Sequence, residues 1–304
     1  MPENSTSTGS SLLYAILWLK SKLPFWVWFR VSELLFVLVF WLFRYRRKVT
    51  RANLLLAFPE KPLAEIRRIE RRYYLHLCDV LVETVKGVSM KPAEVLQRMK
   101  LINPELLREG DQTGKGTIVV ASHYGNFEWA NAVMSLIYED LPAYTIYQKI
   151  NNPAFEHIMR RIRGRFGAVL VNKQEAFRAA LRYLKAPGLM AFVSDQSPSR
   201  RDKLYFTQFL GQPTAMHEGA AMLAVGRGFH AVFADIRKVK RGYYEATLIR
   251  IPVEDFAKNK DIHGFTDFHA KLLEKRIREE PAFWLWSHRR WKHQPGEGDE
   301  IAAS

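Results

Sequence analysis

Cysteine is almost missing: Cys78 is the single one in 304 residues. An internal disulfide framework is thereby excluded, and the chain suits a reducing compartment. The usual nucleotide and metal signatures are absent too. There is no P-loop, no GxGxxG after a strand, no CxxC and no HExxH, so nothing points to a nucleotide cofactor or a metal. No GxSxG elbow presents a serine nucleophile, and no internal repeat or long low-complexity segment occurs. Acids are scarce. Against 46 Lys and Arg stand 31 Asp and Glu, a net charge of +15, with no acid between Glu33 and Glu60. That surplus favours an anionic partner: nucleic acid, an acidic protein or a lipid headgroup surface. Hydrophobic residues at 48% and charged residues at 25% allow a sizeable core, and they rule out a disordered, collagenous or polytopic membrane chain. Aromatics are plentiful at 13%, eight of them Trp, which leans toward an interface with lipid.

The N-terminal segment carries that lean. Residues 1–11 are Ser/Thr-rich and expected to be disordered. Apolar sequence then runs from Leu12 to Phe43, interrupted at Lys20, Lys22, Pro24, Arg30 and Glu33. A membrane-spanning helix needs about 20 largely apolar residues, and Phe25–Phe43 nearly supplies them. Arg30 and Glu33, at i and i+3, are placed to pair on one helix face. No small-residue cleavage site follows, which argues against a signal peptide. Arg44, Arg46, Arg47, Lys48 and Arg51 come directly after the apolar run. Basic residues beside a span stay cytoplasmic, and each adds about 1 kcal/mol of attraction to anionic lipid. Residues 12–51 therefore read as a membrane anchor with a basic juxtamembrane segment, either spanning or lying in the interface. Residues 52–304 read as a catalytic domain.

That domain shows the alternation of an α/β fold. After a helical pattern over residues 61–86 and a linker, strands are expected at Thr117–Ala121, Tyr144–Tyr147, Ala168–Val171, Leu189–Ser194, His230–Arg237 and Tyr243–Ile251. Helices are expected at Phe127–Tyr138, Pro153–Arg163, Gln174–Lys185, Glu218–Val225 and Phe265–Glu280. Such alternation builds a sheet covered by helices, with catalytic groups beyond the carboxyl ends of the strands.

At the end of the first of these strands stands Ser122-His123-Tyr124-Gly125-Asn126-Phe127-Glu128. Three His–acid pairs share this spacing of five, so spacing alone proves little. His230 and Asp235 lie on one strand and face opposite ways; His269 and Glu274 lie far apart around one helix. Only His123 and Glu128 straddle a tight glycine-containing turn. A His backed by a carboxylate makes a hydroxyl nucleophilic, and the expectation here is that Glu128 orients His123. Ser122 is adjacent but lacks an elbow, so the nucleophile falls to a substrate hydroxyl. Gly125 and Asn126, at a helix start, are placed to offer backbone N–H groups to an oxyanion.

HYGNFE is an HX4E box, and HX4D/E marks acyltransferases acting on glycerophospholipids and lipid A. The chain resembles most closely the late lipid A acyltransferases, the lauroyl and myristoyl transferases of Gram-negative bacteria. The resemblance runs through RYRRKVTRANLLLAFPE, the HX4E box, YQKINNP with RRIRGRFG, SDQSP, FLGQPTAMHEGAAMLA and WSHRRW. One departure is Tyr147-Gln148-Lys149, where the family has Tyr-Arg-Pro. What the resemblance implies is a central mixed sheet flanked by helices, glycerolipid acyltransferase-like, with an N-terminal membrane-anchoring helix at the bacterial inner membrane and the domain on its cytoplasmic face. His123 would deprotonate a hydroxyl of a lipid A precursor, and the alkoxide would attack the thioester of an acyl carrier protein or acyl-CoA. Neither metal nor other cofactor is implied. By motif position Arg163, then Arg165, would clamp acceptor phosphates, for which Arg suits best. Asp195 would be a polar residue near the headgroup. A phospholipid or another glycolipid is the alternative acceptor, although the EGTR motif frequent in the glycerophospholipid branch is absent. No nucleic-acid module is recognisable.

Overall fold

Thr117-Ile118-Val119-Val120-Ala121 contains no exposed residue, and a strand buried on both faces belongs at the centre of a covered sheet. The computed structural model, which describes residues 8–199, 204–296 and 298–302, places it there. Before the sheet come α1 (Thr8–Ser21), α2 (Phe25–Phe36), a π-helical extension over Val37–Leu42, α3 (Arg47–Ala57), α4 (Leu63–Lys86) and α5 (Pro92–Arg98). α1 starts within the stretch expected to be disordered, whose residues 1–7 lie outside the described ones.

The chain then alternates: β1 (Met99–Ile102), β2 (Thr117–Ala121), α6 (Phe127–Ile137), β3 (Ala143–Tyr147), α7 (Pro153–Gly164), β4 (Ala168–Asn172), α8 (Ala176–Tyr183) and β5 (Leu189–Val193). A hairpin of β6 (Tyr205–Phe209) and β7 (Gln212–Met216) precedes α9 (Gly219–Arg227), β8 (His230–Lys240) and β9 (Tyr243–Arg250). The helices α10 (Val253–Lys258) and α11 (Ile262–Glu279) and the short β10 (Glu300–Ile301) complete it. The main sheet has seven strands in the order β1-β9-β8-β2-β5-β3-β4, and β10-β6-β7 form a separate small one. Within the main sheet only β8–β9 is antiparallel, so the sheet is mixed and flanked by helices, as expected. The hairpin β6–β7 and helix α5, the latter expected to be linker, were not evident in the sequence pattern.

Helices α3 and α4 meet the segment that follows α11. Asn53 of α3 donates to the carbonyls of Trp286 and His288 at 2.9 and 2.7 Å, and the Tyr73 hydroxyl of α4 donates to Ser287 at 2.7 Å. Trp284 and Trp286 are buried. The RANLLLAFPE and WSHRRW segments are thus one packed unit, with the Trp284 and Trp286 indoles in the core.

Candidate active site

Parallel pairing of β2 with β5 sets the geometry. Thr117 lies opposite Leu189 and Ala121 opposite Val193, an offset that continues past both strand ends and brings His123 against Asp195. His123 Nδ1 lies 2.7 Å from Asp195 Oδ1. The same carboxylate accepts the His123 backbone N–H at 3.0 Å and the Trp284 indole at 2.8 Å, both on Oδ2. Burial by itself would raise the Asp195 carboxyl. The charge of His123 and the bonds from His123 and Trp284 outweigh it and hold the group below the ordinary carboxylate range. An ionised carboxylate only accepts, so the hydrogen of the neutral ring sits on Nδ1 and Nε2 presents its lone pair. The Gln196 side-chain amide lies 3.2 Å from that Nε2, and the ring of Phe127 packs edge-on against the imidazole at 4.9 Å between centroids. Burial holds His217, His269 and His288 near this centre at about 4, so they are uncharged at neutral pH.

The carboxylate behind His123 is therefore Asp195, and the expectation that Glu128 orients the imidazole is corrected. Glu128 sits in the first turn of α6, where its phase turns it toward α7. There its two oxygens accept from Arg163 Nε at 3.0 Å and Nη2 at 2.5 Å. The bidentate pair braces the start of α6 against the end of α7. Arg165 donates to the backbone carbonyls of Val88 and Met90, so its guanidinium is bound to protein instead of open to a phosphate. The Gly125 N–H donates to Phe283 O at 2.9 Å and is not free for an oxyanion. Asn126 is fully enclosed; its Oδ1 caps α6 at Trp129 N.

Glycine is required at 125. Its φ is +59°, and a Cβ there would lie 2.7 Å from Ile236 Cγ2. The turn is held from behind by α4, through residues the sequence reading did not single out. His76 donates from Nε2 to Gly125 O at 3.2 Å and accepts from Lys238 on Nδ1 at 3.2 Å. Glu83 Oε2 accepts from Asn126 Nδ2 at 2.8 Å and from the Tyr244 hydroxyl at 2.9 Å. His76, Asp79 and Glu83 recur at i, i+3 and i+7 on the buried side of a helix, the one signal in the sequence that marks them. Burial pushes the Glu83 carboxyl up to about 7. The folded protein then holds a proton that the unfolded chain has already released, so stability falls as pH rises from the ordinary carboxylate value to about 7. That change amounts to about 3 kcal/mol. Glu83→Gln keeps an acceptor for Asn126 and Tyr244. Thermal melts at pH 5 and pH 8 should show the variant gaining stability relative to the wild type as pH rises.

Three clefts border residues that touch His123. One, of about 240 Å³, is lined by Phe127, Glu128, Arg163, Met134 and Ile236 among others. A second, of about 290 Å³, includes Gln196, Phe192, Phe177 and Lys173. The third, of about 580 Å³, runs from Gln196 and His288 to Val39, Phe43, Tyr45 and Arg46. Among the described residues no group of three or more His, Cys, Asp or Glu is placed to hold a metal.

A histidine backed by a buried carboxylate beside clefts with apolar walls, and a helix long and apolar enough to cross a membrane (Phe25–Leu42), fit an acyltransferase associated with membranes. Residues 4–293 match the bacterial lipid A biosynthesis acyltransferase family, and the chain belongs to it. It is 24% identical over 280 residues to the lipid A biosynthesis palmitoleoyltransferase of Escherichia coli (strain K12), covering 92% of this chain and 90% of that protein. Identity to the lauroyltransferase of the same organism is also 24%, over 281 residues with the same coverage. A lipid A biosynthesis acyltransferase of Haemophilus influenzae is 22% identical over 265 residues, or 84% of this chain and 83% of that protein.

Proposed function

We propose that this acyltransferase moves a fatty acyl chain from an acyl carrier protein thioester to a hydroxyl of a lipid A precursor, at the cytoplasmic face of the bacterial inner membrane. The observation that carries the mechanism is the 2.7 Å contact between His123 Nδ1 and Asp195, with Nε2 against Gln196, which lines two of the clefts. Asp195 fixes the tautomer and stabilises the imidazolium. His123 Nε2 takes the proton of the acceptor hydroxyl as its oxygen attacks the thioester carbonyl. The tetrahedral intermediate collapses with loss of the thiolate, which takes the proton back from the imidazolium. No enzyme-bound ester is formed. Gln196, the donor now facing Nε2, gives up that position to the incoming hydroxyl and turns its N–H toward the developing oxyanion.

The third cleft reaches the N-terminal helices and suits an acceptor arriving from lipid, while the two against the sheet offer room for the donor chain. Arg46 lines that third cleft and is exposed, placed to meet an acceptor phosphate, whereas Arg163, paired with Glu128, lines one of the clefts given to the donor chain. A cationic surface, +15 overall, favours docking of an acidic carrier protein. Mass spectrometry of lipid A from cells with and without the gene tests the reading. One acyl chain fewer in its absence is the expected result. Unchanged lipid A alongside altered phospholipids would move the acceptor to the glycerophospholipids.

A further inference from the structure

The N-terminal apolar helix is fastened to the catalytic domain at both ends and in the middle. At its start, Phe25 packs edge-on against Trp129 of α6 at 6.0 Å, and the Arg98 guanidinium lies 3.5 Å over the same ring. In the middle, Ser32 donates to Asp79 at 2.7 Å, and Arg241 donates to Glu33 at 2.7 Å and to the Phe29 carbonyl at 3.2 Å. At its end, Phe40 lies against Tyr74 at 5.3 Å and beneath the Arg47 guanidinium at 4.0 Å. Just ahead of the helix, Lys86 donates to Ser21 O at 2.8 Å. α2 and its π-helical extension therefore lie along α4 for their whole length.

That arrangement is incompatible with a span. A stretch of 18 residues rises about 27 Å, close to the thickness of the hydrocarbon core. Were it to cross, the part of α4 beside it, from Tyr74 to Lys86, would cross with it, taking Asp79 and Lys86, and the Lys238 and Arg241 that bind Asp79, to hydrocarbon depth, where charges are costly. The outer side of the helix is built for a different placement. Trp26, Arg30 and Leu34 follow one another at i, i+4 and i+8 and are all exposed, Trp26 by 68%. Trp41 and Phe43 are exposed further along, and Trp18 and Leu19 on α1. Lys20, Lys22, Arg44, Arg46 and Lys48 flank this apolar face and are exposed as well. Indoles and cations around an apolar stripe suit a helix lying in the plane of the headgroups.

We infer that α1 and α2 form an in-plane docking surface for one anionic leaflet, with both ends of α2 on the same side of the membrane. The occupant is the lipid surface itself, chosen by the cations around the stripe. The cleft lined by Val39, Phe43 and Arg46 opens beside this surface, so a lipid reaches Gln196 without leaving the leaflet.

Lys22 and Lys48 bracket the helix and are exposed. Replaced singly by cysteine in the full chain, they report sidedness to a membrane-impermeant maleimide; the parent protein, whose Cys78 is buried, is the blank. Both Lys22→Cys and Lys48→Cys should resist labelling in intact spheroplasts and label in inverted membrane vesicles. Labelling of Lys22→Cys from outside, with Lys48→Cys reached only from inside, would overturn the in-plane placement and restore the span. A Lys22→Cys reactive only after detergent would overturn it too, as would a protein found wholly in the soluble fraction. Labelling of both from outside would leave the in-plane helix standing and refute instead the cytoplasmic face given under the proposed function.

Discussion

His123→Ala is expected to leave a folded protein that still fractionates with membranes while acyl transfer falls by roughly 10³–10⁴-fold or more, the loss typical of a missing general base. The fold should survive because the Asp195 carboxylate keeps two of its three donors, the Trp284 indole and the backbone N–H of residue 123. Some stability is lost with the third, on the order of 1–3 kcal/mol for a buried acceptor deprived of one partner. His123→Gln is the companion variant, since its amide can donate toward Asp195 but cannot act as a base at neutral pH. Turnover of a carrier-protein thioester, membrane fractionation and a melting curve are read on the same preparation. Activity near the wild-type level in a folded His123→Gln would remove the proposed base.

The parts of this site that were legible in the sequence are the ones fixed locally. The strand Thr117–Ala121, the turn with Gly125, the cap at Asn126 and the helix beginning at Phe127 follow one another within a dozen residues, and their propensities agree. Asp195 was also visible as a polar residue past a second strand. What could not be read was the register between β2 and β5, because pairing of strands 72 positions apart is set by the packed sheet and not by nearby residues. Without that register, the acid five residues from His123 was the natural partner to choose. The phase of α6 decides otherwise, turning Glu128 toward Arg163.

The misses elsewhere have similar causes. α5 has 7 residues and β1 has 4, too few for a period to show. The β6–β7 hairpin turns at Leu210 and Gly211, both at positive φ, and Pro213 within β7 hides the strand pattern. The packing of Trp284 and Trp286, by contrast, is left open by the sequence. Only their contact with α3 and α4, more than 200 residues away in sequence, settles it.

Asp195→Asn should cost about as much activity as removal of the base, and the reason lies in how the donors divide between its two oxygens. Oδ2 accepts two bonds, from Trp284 and the His123 backbone, and Oδ1 accepts one from the imidazole. An asparagine has a single oxygen, which the two donors claim. Its NH2 then occupies the Oδ1 position and donates to Nδ1. The imidazole is forced into the tautomer with hydrogen on Nε2, where no lone pair remains to take a proton from the acceptor. Where this happens behind a catalytic histidine the loss is about 10⁴-fold. Glu128→Gln makes the contrast. It weakens a partly buried ion pair with Arg163, whose side chains are 11% and 22% exposed, and should cost roughly 1–3 kcal/mol of stability. The chemical step, measured by single turnover at saturating acceptor, should fall far less than in Asp195→Asn. Equal losses of kcat in the two variants, at matched folding, would show that Asp195 has no privileged hold on the imidazole. The dyad would then have to be assigned again, with Glu128 and Arg163 acting in the reaction and not as a brace between α6 and α7.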